Sequence, residues 1–425
     1  MSNGLTASLG FQLLYSRSAL TRRVALKLSV ASAVLAGCAR AVGPNGKHVA
    51  VIGGGIVGAS IAFHLASAGV RVTLLDRGDL ATQASRGTFA WINATWAKQP
   101  RAYHRFNQDG LVGWKRLEAE LGIPVRWGGS VEWFPTPDRQ ARLEDQIDEQ
   151  IAWGEDAAMI DADALRELEP NIDLNGAETV AYSANDGAVD PVLATKSLAR
   201  AAEAMGAKIQ INCSVDGVEQ TDDNRIILKT CNGDIIVDEY VLATGADPEA
   251  TETLAGIEIP QRTTPGVIVL TQPMPRLINR IIVAPGVHIH QRNDGRIVLG
   301  EQDGAPDTAA HAERLQDRPT SFPNNGFASQ HAMRILAIAE QYVPGILEAK
   351  IEDVFIGWRP LPIDGHPVIG RSPVRPSAYL AIMHSGVSLA PIVGELVAQE
   401  IVSGQSAEIL ADYRPDRDFS EVRRY

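Results

Sequence analysis

Residues 49–76 run Val49-Ala-Val-Ile-Gly-Gly-Gly-Ile-Val-Gly-Ala-Ser-Ile-Ala-Phe-His-Leu-Ala-Ser-Ala-Gly-Val-Arg-Val-Thr-Leu-Leu-Asp76. Their order predicts a buried strand over 48–52, a glycine turn, a helix of small residues and a second strand over 70–75. Gly53 permits the tight turn, Gly55 lets backbone N–H groups approach a pyrophosphate, and Gly58 lets the helix pack closely on the strand. The pattern is therefore that of a β-α-β unit that binds a dinucleotide.

Asp76 follows the second strand and narrows the choice of dinucleotide. A carboxylate at this place can accept hydrogen bonds from both ribose hydroxyls and would repel a 2′-phosphate. NADP is therefore disfavoured. These residues alone leave FAD and NAD open.

The composition is that of a soluble protein: 425 residues, 45% apolar and 21% charged, which is long enough for two domains. A formal net charge of −12 argues against nucleic-acid binding, because that binding needs a basic face. No stretch reaches the roughly 18 apolar residues that a membrane-spanning helix needs. We expect Cys213 and Cys231 to be buried free thiols, and no Cys/His spacing predicts a zinc site or any other metal centre.

The first 75 residues contain no acidic side chain, and basic residues precede a short apolar run over 28–37. Arg22-Arg23 resembles a twin-arginine export signal, and Leu35-Ala-Gly-Cys38 resembles a bacterial lipobox. We therefore expect export and a lipid anchor at Cys38. A cytoplasmic enzyme with an N-terminal extension is the alternative.

Further blocks along the chain also suggest ligand contacts. They are Asp186-Gly-Ala-Val-Asp-Pro191, Ala243-Thr-Gly245, Gly357-Trp-Arg-Pro360 and the turn Ser385-Gly386. A glycine that follows a buried strand brings the backbone close to a ligand, and the helix after Gly386 predicts a second anion site. We expect Ser388 to cap that helix.

Three less distinctive stretches separate these blocks. Residues 208–237 are expected to form a strand meander, and 303–327 a long loop that is either a lid or disordered. A helix is expected over 328–342.

Taken in order, the blocks resemble the D-amino-acid oxidase and glycine oxidase family of FAD enzymes, which includes D-amino-acid dehydrogenases and sarcosine oxidases. The resemblance covers residues 48–403. It implies FAD rather than NAD, because a plain NAD domain has no counterpart of the second glycine turn. It also implies that the flavin is not covalently bound, since no cysteine falls near the flavin-facing blocks.

The resemblance implies a role for individual residues. Asp76 would bind the adenosine ribose, the backbone of Val215 would meet adenine, and residues 85–87 would support the pyrophosphate. Gly386 to Leu389 would meet the flavin ring. The full cofactor-binding set expected is Gly53, Gly55, Ile56, Val57, Gly58, Asp76, Arg77, Ser85, Arg86, Gly87, Val215, Thr244, Gly245, Gly386, Val387, Ser388 and Leu389.

Two residues are expected to act on the substrate. Arg359, in the Gly-x-Arg-Pro block, would pair with a substrate carboxylate, although a structural ion pair would also explain it. His288 stands where the family has a substrate-facing tyrosine, and a second arginine that some members carry is missing. The two-residue period of a strand puts His288 and His290 on one face, either towards the site or in the core.

The expected architecture is α/β, with a discontinuous Rossmann-type FAD-binding domain (47–98, 185–256 and 359–411) and an antiparallel-sheet α+β substrate domain (99–184 and 257–358). Residues 1–46 would be an export signal and linker, and 412–425 a C-terminal tail. The expected reaction is oxidation of the C–N bond of an amino acid or N-substituted amino acid, with oxygen or a membrane quinone or carrier as electron acceptor. An amine or hydroxy-acid oxidase, or a flavin electron-transfer subunit without turnover, is the alternative.

Overall fold

Two large sheets, two small ones and the helices packed on them make up the described chain. The structure is a computed structural model that describes residues 46–93, 98–301 and 318–421. Its helices are α1 (Ile56–Ser67), α2 (Arg101–Leu121), α3 (Pro137–Trp153), α4 (Ala162–Leu168), α5 (Pro191–Ala204), α6 (Pro248–Ala255), α7 (Asn325–Ala339) and α8 (Gly386–Ser403). Its strands are β1 (His48–Ile52), β2 (Arg71–Leu75), β3 (Trp91–Ile92), β4 (Val125–Trp127), β5 (Ser130–Glu132), β6 (Ala157–Asp161), β7 (Thr179–Ser183), β8 (Gly187–Val189), β9 (Lys208–Gln210), β10 (Val215–Gln220), β11 (Ile226–Thr230), β12 (Ile235–Val237), β13 (Glu239–Leu242), β14 (Gln261–Thr271), β15 (Ile281–Ala284), β16 (Val287–Gln291), β17 (Ile297–Gly300), β18 (Ile351–Pro362), β19 (Val368–Arg371) and β20 (Ala378–Ile382).

The first large sheet has the strand order β19-β20-β13-β1-β2-β9. Its strands are parallel except β19, which runs antiparallel to β20. The β-α-β unit expected over residues 48–76 is confirmed, with β1 and β2 side by side. Because β13 and β2 lie on opposite sides of β1, a crevice opens beyond the carboxyl end of β1, where such sheets bind ligands.

Helices α1, α2, α5 and α8 form an apolar core with one face of this sheet. The contact between α2 and α8 depends on glycine, because a Cβ on Gly110 would lie 2.2 Å from the Ser388 carbonyl oxygen. Among the described residues, α8 is long and apolar enough to cross a membrane, but 67% of it is buried. Its packing against α1 and α2 makes it a core helix of this layer.

The second large sheet has the order β18-β14-β17-β16-β15-β5-β7-β6. Its neighbouring strands are antiparallel except β5 and β15, so the expected antiparallel sheet is confirmed. Helix α7 covers one face through Ala332, Ile335, Leu336 and Ala339. This helix begins and ends three residues earlier than expected. Its start is capped by the Asn324 side chain, which accepts a hydrogen bond from Phe327 N–H.

Three other local expectations are corrected. Residues 208–237 are not one meander, because β9 joins the first sheet parallel to β2 while β10 to β12 form a separate antiparallel sheet. Cys213 is buried as expected, but Cys231 is exposed; both are free thiols. The N-cap of α8 is Ser385, and Ser388 lies inside the first turn of that helix.

The expected domain boundaries stay a prediction. Two packing details bear on them: β18 runs through the expected boundary between residues 358 and 359, and α2, assigned to the substrate domain, packs against α8. Residues 1–45, with Arg22, Arg23 and Cys38, lie outside the described residues, as do 303–317 of the expected loop.

Candidate active site

A cleft of about 1030 Å³ opens at the carboxyl ends of β1, β2, β13 and β20. This volume is at the upper end of the roughly 300–1,000 Å³ typical of ligand sites. Of the residues predicted to bind the cofactor, its wall contains Gly53, Gly55, Ile56, Val57, Asp76, Arg77, Ser85, Val215, Thr244, Gly245, Gly386 and Val387.

The glycines at the start of α1 make close backbone contacts. Gly53 has a φ of +112°, and a Cβ on it would lie 2.3 Å from the Ala243 carbonyl oxygen. A Cβ on Gly58 would lie 1.9 Å from the Gly53 carbonyl oxygen, so Gly58 faces the turn rather than the cleft. Glycine is thus required for β1, the turn and α1 to pack together, which leaves the N-terminus of α1 at the cleft wall.

The Asp76 carboxylate is oriented by two backbone donors. Gly54 N–H donates to its Oδ2 at 2.6 Å, and Gly78 N–H donates to its Oδ1 at 2.8 Å. Hydrogen bonds to a carboxylate restrict its rotamers. The acidic group is therefore held at the end of β2, in the wall of the cleft.

Of the three residues after β2 that were predicted to support the pyrophosphate, only one lines the cleft. Ser85 lines the cleft, and its Oγ accepts a hydrogen bond from Ile56 N–H at 2.9 Å, at the start of α1. Arg86 turns away, since it pairs with Asp353 at 3.1 Å and lies over a phenylalanine ring of β18. Gly87 packs against the Gly357 backbone. The structure therefore does not bring Arg86 and Gly87 to the cleft.

The N-terminus of α8 is a second helix start at the cleft. Gly386 and Val387 line the wall, whereas Leu389 is buried in the helical core. Ser388 Oγ accepts a hydrogen bond from Asn93 N–H at 2.9 Å. Only the first two of the four predicted flavin-facing residues reach the cleft.

The sequence analysis missed several residues of the wall: Thr82, Gln83, Ser214, Asp216, Asp247, Glu249, Arg318, Pro319, Thr320, Trp358, Pro360, Met383 and His384. Asp247 could have been found, because Asp followed by Pro is a helix-start signal and its Oδ1 accepts from Ala250 N–H at 3.0 Å. It also pairs with Arg77 at 2.5 Å. The sequence around Arg318 contains no pattern that would have predicted its place in the cleft wall.

Arg359 and His288 lie outside the cleft wall, but strand register puts them on one face of the second sheet. His288 pairs with Gly300, Gly300 with Ile268, and Ile268 with Phe355. Residues paired across strands point to the same face, and every second residue along a strand does too. Arg359, four residues beyond Phe355, therefore shares the face of His288.

Aromatic side chains pack on this face. The His288 ring lies 5.4 Å from that of Phe89 and 6.1 Å from that of Trp91. The Trp91 indole is oriented by Asp186, which accepts from its Nε1 at 2.8 Å and from Ser130 Oγ at 3.0 Å. The Asp186 block thus fixes an aromatic side chain next to His288.

The two histidines of β16 differ in environment. His290 is fully buried, with its Nε2 2.9 Å from the Phe89 carbonyl oxygen. Burial lowers the pKa of His290 to about 3, and the charge of Arg292 acts in the same direction. His288 is half-buried. His290 is therefore a neutral core residue, whereas His288 lies at the edge of that core.

Arg359 lies on β18 between Trp358 and Pro360, which both line the cleft. Its backbone pairs with Thr264 of β14, and its Nη2 donates to the Pro265 carbonyl oxygen at 3.3 Å. The described residues contain no group of three or more His, Cys, Asp or Glu that could hold a metal ion.

The chain matches a family model described as "DAO: FAD dependent oxidoreductase" over residues 48–400. It is 26% identical over 362 residues to a glycine oxidase of Bacillus licheniformis, covering 83% of this chain and 92% of that protein. It is also 26% identical over 380 residues to one of the opine oxidase subunits of Agrobacterium tumefaciens, covering 86% of this chain and 96% of that protein.

Solved structures have the same fold. Glycine oxidase from Geobacillus kaustophilus superposes with a TM-score of 0.77 at 23% identity, covering 88% of this chain and 100% of that one. L-proline dehydrogenase from P. horikoshii gives a TM-score of 0.73 at 24% identity, covering 88% and 97%.

Proposed function

The chain belongs to the FAD dependent oxidoreductase (DAO) family, and from this premise we propose that it oxidises the C–N bond of an amino acid or N-substituted amino acid. Relatives named as a glycine oxidase and as part of an opine oxidase, each at 26% identity, support this reaction class. The side chain and stereochemistry of the substrate are left open by the proposal.

FAD is the cofactor, and the cleft residues suit it. Two helix N-termini, those of α1 and α8, reach the cleft wall, and helix N-termini attract anionic groups. The Asp76 carboxylate, held by Gly54 and Gly78, suits the ribose hydroxyls. We propose that the α1 end binds the pyrophosphate and that Gly386 and Val387 lie against the flavin. The bound flavin supplies a two-electron acceptor for hydride.

The observation that carries the substrate proposal is the position of Arg359. Its strand runs along the cleft wall at Trp358 and Pro360, and its side chain lies on the opposite sheet face from theirs, which is the face of His288. A guanidinium is a planar fork that can bind a carboxylate through two parallel hydrogen bonds. We propose that Arg359 binds the substrate carboxylate and thereby directs the Cα–H bond towards the cleft.

His288, Phe89 and Trp91 are proposed to contact the rest of the substrate. Their rings pack together, and the bond from Trp91 to Asp186 keeps this wall in place. Such positioning lowers the barrier because the reacting atoms are held in a productive geometry. The substrate amine must be unprotonated when Cα loses hydride, and water then hydrolyses the imine to a 2-oxo acid and an amine or ammonia.

The electron acceptor and location are part of the proposal. The Arg22-Arg23 and Cys38 motifs support export with FAD bound and a lipid anchor, which would favour a membrane quinone or carrier over oxygen. Mass spectrometry of the N-terminal peptide tests this. A lipid-modified Cys38 in the membrane fraction is expected, whereas an intact N-terminus at Met1 or Ser2 in the soluble fraction would contradict it.

Anaerobic flavin reduction by a panel of substrates tests the reaction class. The purified protein should be yellow and release FAD on denaturation. We expect amino acids or N-substituted amino acids to bleach the flavin, and amines or hydroxy acids to leave it oxidised. Bleaching only by amines or hydroxy acids would replace the proposal, and no bleaching by any compound would indicate an electron-transfer role without turnover. Repeating the titration in air distinguishes oxygen from another acceptor.

A further inference from the structure

Residues 318–320, which we call the strap, enter the cleft wall from a distant part of the chain. Two hydrogen bonds join the strap to β18. Ile356 N–H donates to the Thr320 carbonyl oxygen at 3.0 Å, and Trp358 Nε1 donates to the Pro319 carbonyl oxygen at 3.0 Å. The strap is therefore attached to the second sheet at one end.

The other end of the strap is attached beside the first sheet. Arg318 Nη1 donates to the Ala246 carbonyl oxygen at 3.1 Å. The same guanidinium pairs with both oxygens of Glu249, at 2.7 and 3.1 Å. Ala246 and Glu249 also line the cleft, within four residues of Gly245. The strap thus connects the two sheets at the wall of the cofactor cleft.

The backbone of Arg318 is also unusual. Its φ is +50°, in the left-handed region that residues other than glycine rarely adopt. Such conformations persist where surrounding contacts hold them, and they recur at ligand clamps. The side-chain bonds to Ala246 and Glu249 are contacts of this kind.

We propose that Arg318 is a cofactor-retention residue, whose guanidinium fastens the strap to Ala246 and Glu249 and thereby slows FAD dissociation. This inference rests on FAD binding and is independent of which substrate is oxidised. The strap must lose its hydrogen bonds either to β18 or to Ala246 and Glu249 before the cleft wall can open there.

The Arg318 end is the one that opens first. The side chains of Arg318 and Glu249 are 36% and 70% exposed, and exposed ion pairs are individually weak and screened by salt. The hydrogen bonds between the two side chains lower the pKa of Glu249 and raise the pKa of Arg318. Both groups are therefore charged at neutral pH. Salt should therefore speed FAD release.

The test compares Arg318→Gln with Arg296→Gln. Arg296 makes a similar two-bond pair with Glu352, at 2.8 and 3.2 Å, and neither of these two residues lines the cleft. FAD release is followed as free-flavin fluorescence after dilution of the holoprotein, without substrate. We expect release from Arg318→Gln to be roughly 5- to 30-fold faster than from wild type, with Arg296→Gln unchanged. Salt should accelerate release from wild type more than from Arg318→Gln.

Two further variants keep the test decisive if Arg318→Gln is poorly folded. Glu249→Gln retains the bond from Arg318 to Ala246 and should give an intermediate acceleration. The swap Arg318→Glu with Glu249→Arg should restore part of the retention, which a loss of strap packing alone would not allow. Wild-type release rates in Arg318→Gln or Glu249→Gln, or equal acceleration by Arg296→Gln, would overturn the proposal. Because no substrate is present, failure here is separate from failure of the proposed reaction.

Discussion

Replacing Arg359 by Ala should keep FAD bound but remove most of the activity towards carboxylate substrates. In the structure Arg359 belongs to the longest pair of strands, β14 and β18, and its side chain donates to the Pro265 carbonyl oxygen. Losing that bond should cost about 1 kcal/mol of stability. The backbone pairing with Thr264 does not depend on the side chain.

The expected loss in catalysis is larger. Removing a charge-assisted bidentate pair from a desolvated site costs about 2–5 kcal/mol in transition-state binding, which is a fall of roughly 30- to several-thousand-fold in kcat/KM. Arg359→Lys should recover only part of this, because a point charge cannot reproduce the planar fork.

Steady-state kinetics with the best amino acid of the substrate panel measures the change. FAD occupancy from the flavin absorbance and the Tm of the holoprotein serve as controls for folding. Amines, which lack the carboxylate, should leave the flavin oxidised in the variant and in wild type alike. Flavin reduction by amino acids at the wild-type rate in Arg359→Ala would make this arginine structural and remove the main support for the amino-acid proposal.

Three other perturbations probe the fold. Gly58→Ala should prevent FAD binding, because its Cβ would lie 1.9 Å from a carbonyl oxygen; a soluble variant with wild-type flavin absorbance would contradict this. His290, whose pKa burial lowers from 6.5 to about 3, should contribute stability that is complete above pH 6.5 and is lost as pH falls towards 3. Denaturant unfolding should therefore show a flatter pH dependence for His290→Gln in that window. Burial raises the pKa of Glu400, but hydrogen bonds led by that from Arg414 outweigh it and lower the pKa, so this stability is present above pH 4.5 and lost as pH falls further. Arg414→Gln should lower the unfolding free energy by about 1–3 kcal/mol at pH 7 and by less below pH 4; equal losses at both pH values would refute the linkage.

Local sequence patterns were sufficient for the first half of the cofactor cleft. Residues 48–76 form the predicted strand, turn, helix and strand because most constraints there are short-range: Gly58 is required by the nearby carbonyl oxygen of Gly53. The contact of Gly53 with Ala243 is the exception, because it joins segments far apart in the chain. Asp76 is likewise oriented by Gly54 and Gly78. Contacts between residues close together in the chain can therefore be predicted from the sequence.

Helix ends were predicted less well where the capping group was ambiguous. Ser385 and Ser388 both precede apolar residues, and either could have started α8. Ser388 does not cap the helix: its Oγ instead accepts a hydrogen bond from Asn93 N–H. Asn93 is far away in the chain, so a local pattern could not have indicated this contact.

The amino-acid order over residues 48–76 was enough to predict the β-α-β unit and the α/β class, because short-range backbone sterics and strand periodicity produce them. The choice of FAD and the cleft residues next to β13 followed from the family resemblance of the blocks taken in order. Neither was enough to predict that Arg86 turns to Asp353, that His288 and His290 differ in burial, or that Arg318 meets Glu249. Each of these depends on which distant side chain lies opposite once the two sheets have formed. A side chain's partner and its exposure are properties of the packed chain, and no nearby residue encodes them.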